Sequence, residues 1–460
     1  MRNLVSCFRL RSLPRSILPR LPDASGRCIL GVFLLAIPLL GVGTAEAGLW
    51  QDYGDLYTRR AEEMKELGLW GGTALPPAGM WSLQEKHIRY SCDSKFDEHG
   101  NRGPVLKPLD ILGGSLDLAP RATLSGHIVS FLCGLGKGWA FALQAEFGNL
   151  DVEFDVDYRA PASPEARLTA DVLHFLYGTE RFTESMEGLW QTFELLGHPR
   201  LTLQSEDGGL KMGDFSAILG CNYWRSSTVS LLGAVRLSFP TSRLAEANKS
   251  LTFALGPDKD TGTGSYGFEF AHLSDFRLSK SLGWLVFSTE LYYSFYLEHQ
   301  RESPTVFTKP NQGVIALLDL AGVHVGPYFP DLSGMEAEYG FRPGSRAKGV
   351  FQIVPTFLGI LTVTAGVEMY YNQAAAITTS TPEFRQYIDA VGLLKESWVF
   401  KALSRVAVGL YPLKIPVTLA AGFYFPVAGK NFLVLNDNWE FVFQFSSPWV
   451  FGNEIPFVDF

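Results

Sequence analysis

Beyond its first 47 residues this chain has no run approaching ~18 consecutive apolar residues, so no segment there reads as a membrane-crossing helix. Cysteine is scarce. Of five, Cys7 and Cys28 precede residue 47, which leaves Cys92, Cys133 and Cys221. An odd, widely spaced set is not a disulfide framework, and without C-x-x-C or paired histidines nearby it is not a metal site. These three read as small apolar strand residues. Positive charge is also short: net charge is −8 overall, and without residues 1–47, which hold six Arg against Asp23 and Glu46, it is −12. An acidic chain of this kind has no electrostatic case for nucleic acid. Catalytic signatures are missing too: there is no H-E-x-x-H, G-x-S-x-G turn, Walker loop, zinc ribbon or EF-hand among the eight histidines and their surroundings. His272 lies beside Ser274 and Asp275, which by itself makes no triad. The expectation is no enzyme, no cofactor and no metal.

What the chain does have begins at its N-terminus. Arg2, Arg9, Arg11, Arg15, Arg20 and Arg27 precede an uncharged run from Ile29 to Val42, and then Ala45-Glu46-Ala47, a small-residue cleavage pattern. Residues 1–47 are expected to be an export signal. The alternative, a transmembrane anchor, is disfavoured because the apolar run is short for a ~20-residue span. Trp50 to Gly68 reads as a short charged amphipathic helix, so 48–79 is expected to be a helical extension or a plug. Leu75-Pro76-Pro77-Ala78-Gly79 breaks it ahead of the main domain, 80–460.

From residue 80 onward the chain has a rhythm. Segments of alternating apolar residues are joined in turn by short connections (Gly148-Asn149, Arg225-Ser226-Ser227, Lys280 to Gly283, Pro412-Leu413-Lys414) and by long polar ones at 160–210, 241–264, 299–312 and 374–398. An outer-membrane β-barrel needs this pattern, with tight turns at one rim, long loops at the other and a different solvent on each strand face. In Trp139 to Phe147 the apolar residues are odd-numbered; beyond Gly148-Asn149 they are Val152, Phe154, Val156 and Tyr158. A two-residue turn between two strands would give that change of phase. Similar alternation recurs at 215–239, 266–295, 361–371 and 439–445. The fold class expected is all-β: an antiparallel transmembrane β-barrel of about 14 strands, within a range of 12–16, at ~9–11 residues per strand. Ser163-Pro164-Glu165, with Gly178 and Gly197 as stops, places helices in the 160–210 insertion.

Alternation also nominates a lumen lining. Charged residues opposite the apolar face are Glu146, Glu153, Asp155, Asp157, Asp214, Arg236, Glu269, Glu290, Glu368 and Arg405. A charge facing lipid at mid-membrane costs roughly 2–4 kcal/mol for Arg or Lys, so these belong inside. Two roles fit: an internally paired, solvated lumen, or a substrate-selective acidic track.

Three short motifs carry a resemblance. Gly208-Gly209-Leu210-Lys211-Met212-Gly213-Asp214 precedes a strand; Leu237-Ser238-Phe239-Pro240-Thr241-Ser242 ends the next; Gly262-Thr263-Gly264-Ser265-Tyr266-Gly267 opens another. With Leu75 to Gly79 and Phe96-Asp97-Glu98-His99-Gly100, they make residues 75–300 resemble the outer-membrane family linked to meta-pathway phenol degradation. Ser242 stands where that family usually has glycine, and the 160–210 insertion is longer. The family is similar in style to fatty-acid and aromatic-hydrocarbon transporters. The resemblance therefore implies passive uptake of small hydrophobic, including aromatic, compounds across a Gram-negative outer membrane. Expected partners are outer-membrane lipid and lipopolysaccharide, the barrel-assembly machinery and the hydrophobic solute. The alternative is a structural or adhesion-type surface barrel acting through its loops. The C-terminal Phe460 and Val458 partly fit an assembly signal, while Pro456 and Glu454 do not.

Overall fold

The computed structural model describes residues 75–448 except 77–78, 106–108, 113, 198–209, 243–261, 279–284, 304–310, 321–335, 359, 392–394 and 411–416. The expected export signal, the 50–68 helix and the C-terminal tail lie outside the described residues. In chain order the first elements are β1 (Met80–Phe96), β2 (Arg102–Pro104), β3 (Leu109–Ile111), β4 (Gly114–Gly136), β5 (Trp139–Arg159), α1 (Pro164–Tyr177) and α2 (Met186–Leu195). Next come β6 (Lys211–Arg225), β7 (Val229–Phe239), β8 (Gly267–Arg277), β9 (Leu285–Tyr296), β10 (His299–Glu302), α3 (Gln312–Leu320) and β11 (Glu338–Arg342). The chain continues through β12 (Arg346–Phe357), β13 (Leu361–Asn372), β14 (Ala376–Thr378), α4 (Pro382–Val391), β15 (Ser397–Gly409), β16 (Val417–Lys430) and β17 (Leu433–Pro448).

Twelve antiparallel strands close into a barrel in the order β1-β4-β5-β6-β7-β8-β9-β12-β13-β15-β16-β17, and β17 pairs back onto β1. Closure leaves no bare edge in the wall, which is how a sheet satisfies all of its backbone groups. Short β2 and β3 extend β1 and β4 at one rim, while β10, β11 and β14 form a separate small sheet. One rim carries the connections at 137–138, 226–228, 278–284, 358–360 and 410–416. The other carries the long ones and the two-residue turn Asn431-Phe432. In the 137–138 turn, Lys137 and Gly138 both take positive φ (49° and 82°), the twist that matches a tight hairpin. A Cβ at Gly138 would also stand 2.9 Å from the Asn222 carbonyl, so the position requires glycine.

Two expectations need correction. Gly148-Asn149 is not a turn: β5 runs unbroken from Trp139 to Arg159, with Gly148 paired to Gly126 and Asn149 to Ser125. The wall accordingly has twelve strands rather than 14. The change of phase has a different physical cause. Beyond Ala122 and Gly148 the strands β4 and β5 pair with no other barrel strand, so residues 114–121 and 149–159 rise from the wall as a two-stranded ribbon. Side chains keep their faces along a strand, but the surroundings change. Within the wall the outer face is apolar (Phe141, Leu143, Phe147); along the ribbon the inner face is, because helices cover it.

Those helices form the main apolar core among the described residues. Phe154, Leu112 and Leu116 from the ribbon base and its approach pack with Ala166, Ala170 and Leu173 of α1, Leu189, Trp190 and Phe193 of α2, and Val314 and Leu318 of α3. Helix α1 starts on Ser163, whose Oγ accepts from Ala166 N at 3.1 Å, followed by Pro164 in the first turn. It stops at Gly178, which takes the left-handed φ of 71° and donates to the His174 carbonyl. Because the helices cover the inward side of the ribbon, they stand over the mouth of the barrel at the long-loop rim.

Candidate functional site: the barrel interior

On most wall strands one parity is the more buried and carries the polar side chains, and the other is exposed and apolar. On β13 the inner set is Thr362, Thr364, Glu368 and Tyr370, and the outer set is Leu361, Val363, Ala365, Val367, Met369 and Tyr371. Salt bridges and hydrogen bonds from Arg side chains that skip a strand identify the inner face, toward which side chains converge in a barrel. Arg236 of β7 reaches Gln144 of β5 across β6, and Arg405 of β15 reaches Glu440 of β17 across β16.

The interior charges are organised in clusters. Glu440, whose side chain is 1% exposed, is flanked by Lys86 and Arg405, and Arg405 Nη2 also lies 3.3 Å from the Tyr424 hydroxyl. Glu368 takes Lys401 Nζ on one oxygen at 2.9 Å and Lys348 Nζ on the other at 3.1 Å. Glu290 accepts from Gln352 Nε2 at 3.1 Å and from the Tyr292 hydroxyl at 2.7 Å. Arg236 lies 3.7 Å from Glu269 and donates to Gln144 at 2.7 Å, while Gln144 donates to Glu146 at 3.0 Å and Ser294 to Glu269 at 2.8 Å. A buried carboxylate survives in a wall only when cations or donors compensate its lost hydration. Each of these has them.

Seven of the sequence-nominated residues therefore share the inner face: Glu146, Asp214, Arg236, Glu269, Glu290, Glu368 and Arg405. Glu153, Asp155 and Asp157 do not. They lie on the outer face of the ribbon, where the Asp155 and Asp157 side chains are 73% and 66% exposed and approach Arg121 and Arg159 at 3.7 and 3.5 Å. The missing turn at Gly148 reverses their assignment. Lys86, Lys348, Lys401 and Glu440 are interior charges that the sequence reading does not nominate. Alternation could find them, since Glu440 sits between outward Trp439 and Phe441, and Lys401 shares parity with Arg405.

Asp214 occupies a different place, at the long-loop rim, where the three motifs of the family resemblance meet. Its carboxylate accepts from both Thr263 N and Thr263 Oγ1 at 2.7 Å, and Gly262 lies against Ser242 and Asp214 so closely that no Cβ would fit. Thr241 Oγ1 donates to the Gly213 carbonyl at 3.0 Å and accepts from Phe215 N at 2.8 Å. The motifs thus tie two loop ends together. Beside them, Ser265 Oγ is 2.6 Å from His299 Nδ1, and Arg301 Nε donates to His299 Nε2 at 3.3 Å. Burial, then the nearby Arg301 charge, lowers the His299 pKa to about 4, so the ring is neutral with its proton on Nδ1. This is not a nucleophile and base. Ser265 is 1% exposed, and the second ring nitrogen is already engaged.

No family model matches the sequence, and no curated protein matches it. Solved structures that the chain is similar to are outer-membrane β-barrels. One is the COG4313 outer membrane channel from Pseudomonas putida F1, at 8% identity and a TM-score of 0.45, covering 81% of this chain and 96% of that one. A deletion mutant of the TodX monoaromatic hydrocarbon channel is 10% identical over 81% of this chain and 91% of that one, with a TM-score of 0.32. The NanC porin is 7% identical over 79% of this chain and all of that one, with a TM-score of 0.30.

Proposed function

We propose that this chain is a bacterial outer-membrane channel through which small hydrophobic compounds, aromatic ones included, enter passively. One observation carries the membrane part: over most of its strands the closed wall is apolar outside and gathers its charges inside. A soluble barrel buries its apolar face inward, whereas a barrel in hydrocarbon must turn it outward. On β16 and β17 the outward side chains are Leu419, Phe423 and Phe425, and Phe441, Phe443 and Phe445; the inward ones include Tyr424, Glu440 and Gln444. In this reading residues 1–47 direct export, the assembly machinery inserts the barrel, and the long-loop rim faces outward among lipopolysaccharide. Leu75 Cδ2 stands 3.9 Å from the place a Cβ on Gly220 would take on the inner face of β6. That supports a plug role for the segment ahead of β1. The hydrophobic cargo rests on the family resemblance and on Leu168, Phe175 and Leu176, which α1 exposes at the mouth.

A second reading, a surface barrel that acts through its loops, draws on the helical core standing over the mouth. Planar-bilayer recording of the mature chain, with aromatic and fatty-acid solutes, separates the two. The channel reading expects current steps altered by one solute class, or solute entry into liposomes. A folded, heat-modifiable barrel that neither conducts nor admits any of these solutes would sink it.

A further inference from the structure

Among the described residues the outer face of the wall carries a charged break at the seam where β17, β1 and β4 meet; a second outward polar group, His272 with Tyr223 and Ser274, holds no carboxylate. On β1 the outward residues run Trp81, Leu83, Glu85, His87, Arg89, so charge begins at the third position. Their outward neighbours on β17 are Phe445, Phe443, Phe441 and Trp439, opposite Leu83, Glu85, His87 and Arg89 respectively. On β4, Val129 lies opposite Glu85 and His127 opposite His87. The polar groups touch one another: His127 Nδ1 is 2.8 Å from Glu85 Oε1, the His87 and His127 rings are 4.5 Å apart, and His87 is 5.1 Å from Trp439. Aromatic rings border them, with Trp81 5.9 Å from Phe131 and 5.6 Å from Phe445. On β13, four strands away around the wall, the outward residues carry no charge at all.

We propose that this seam is the interface through which two copies of the chain associate side by side in the membrane. The inference rests on the membrane reading above. Lipid tails offer neither hydrogen bonds nor counter-charge to Glu85, His87 and His127, so this carboxylate-bearing patch is a part of the belt that hydrocarbon solvates poorly. A second copy solvates it well. The patch holds an acid and two imidazoles side by side, so a two-fold axis through it sets the carboxylate of each copy against the imidazoles of the other. The flanking Trp81, Phe131, Phe443 and Phe445 supply flat aromatic contact around that polar centre, the arrangement of a specific interface rather than a greasy one.

The test uses the full chain with all five cysteines (Cys7, Cys28, Cys92, Cys133 and Cys221) replaced by alanine and one new thiol, either Val129→Cys in the seam or Ala365→Cys on β13. Both chains are first shown to fractionate with outer membranes and to be heat-modifiable; failure there overturns the membrane reading itself, not the seam. Oxidation of the isolated membranes is then expected to give a disulfide-linked dimer from Val129→Cys and none from Ala365→Cys. Adding Glu85→Leu and His127→Leu should lower the linked fraction about tenfold, with Glu85→Gln alone run in parallel as the variant that keeps size and fold. Monomer at both positions, equal linking at both, or linking indifferent to the Glu85 and His127 changes in a folded barrel would each overturn the interface.

Discussion

Glu440 shows how much a single interior side chain can carry. It is almost fully buried, and its neighbours Lys86 and Arg405 come from strands on either side of the closure. Neutralising it by Glu440→Gln keeps the volume but strands two cations, a change that costs on the order of 3 kcal/mol when an ion pair is buried. We expect the urea midpoint of the folded barrel to fall by a corresponding amount and the single-channel conductance to shift, because both cations are then free to move in the lumen. An unchanged midpoint would mean that the cluster adds nothing to stability. His299 gives a pH dependence at the long-loop rim. Its pKa is about 4 in the fold against about 6.5 for a free imidazole, so the unfolded segment takes up a proton first as pH drops. Stability of the small sheet of β10, β11 and β14 is full above pH 6.5 and declines as pH falls from there toward 4. Amide exchange in residues 299–302 and 338–342, corrected for intrinsic rate, should be faster at pH 5 than at pH 7. The difference should vanish in His299→Gln; a pH difference that survives that substitution would assign it elsewhere.

At the scale of elements, the ribbon of β4 and β5 is the part the sequence describes least directly. Phe154 joins the helical core on its inner face, while its neighbour Asp155 points out to solvent. Phe154→Ala is expected to cost about 3–5 kcal/mol of core packing, felt by the helices and not by the wall. Limited proteolysis should then cut within 160–197 at much lower protease concentration while heat-modifiability persists; resistance equal to the parent chain would show that the helices hold without the ribbon. The same region explains what was legible. Alternation gives the outward and inward faces of β6, β7, β13 and β17 correctly because each of these strands has one kind of neighbour on each side. It misassigns Glu153, Asp155 and Asp157 because β5 crosses from one environment to another without turning, and a reversal of polarity on a straight strand has the same period as a hairpin. Capping residues such as Ser163 and Gly178 act on their own helix and need no tertiary context. The Glu440 cluster does, since Lys86 and Arg405 reach it from strands at opposite ends of the chain.

For the whole molecule, a closed antiparallel barrel with an apolar outside is legible from rhythm alone, and the strand count is not. Two strands of 23 and 21 residues, β4 and β5, take up sequence that a uniform strand length of ~9–11 residues divides further. The registration of β1 against β17 runs from Met80 opposite Pro448 to Lys95 opposite Leu433. The first and last strands are thus each other's neighbours, and nothing earlier in the chain can substitute for either. As the chain is made, the first wall strand has to wait, unpaired on one side, until the final strand is available. Closure of the wall is therefore the last pairing to become possible, whatever the order in which the many hairpins between form.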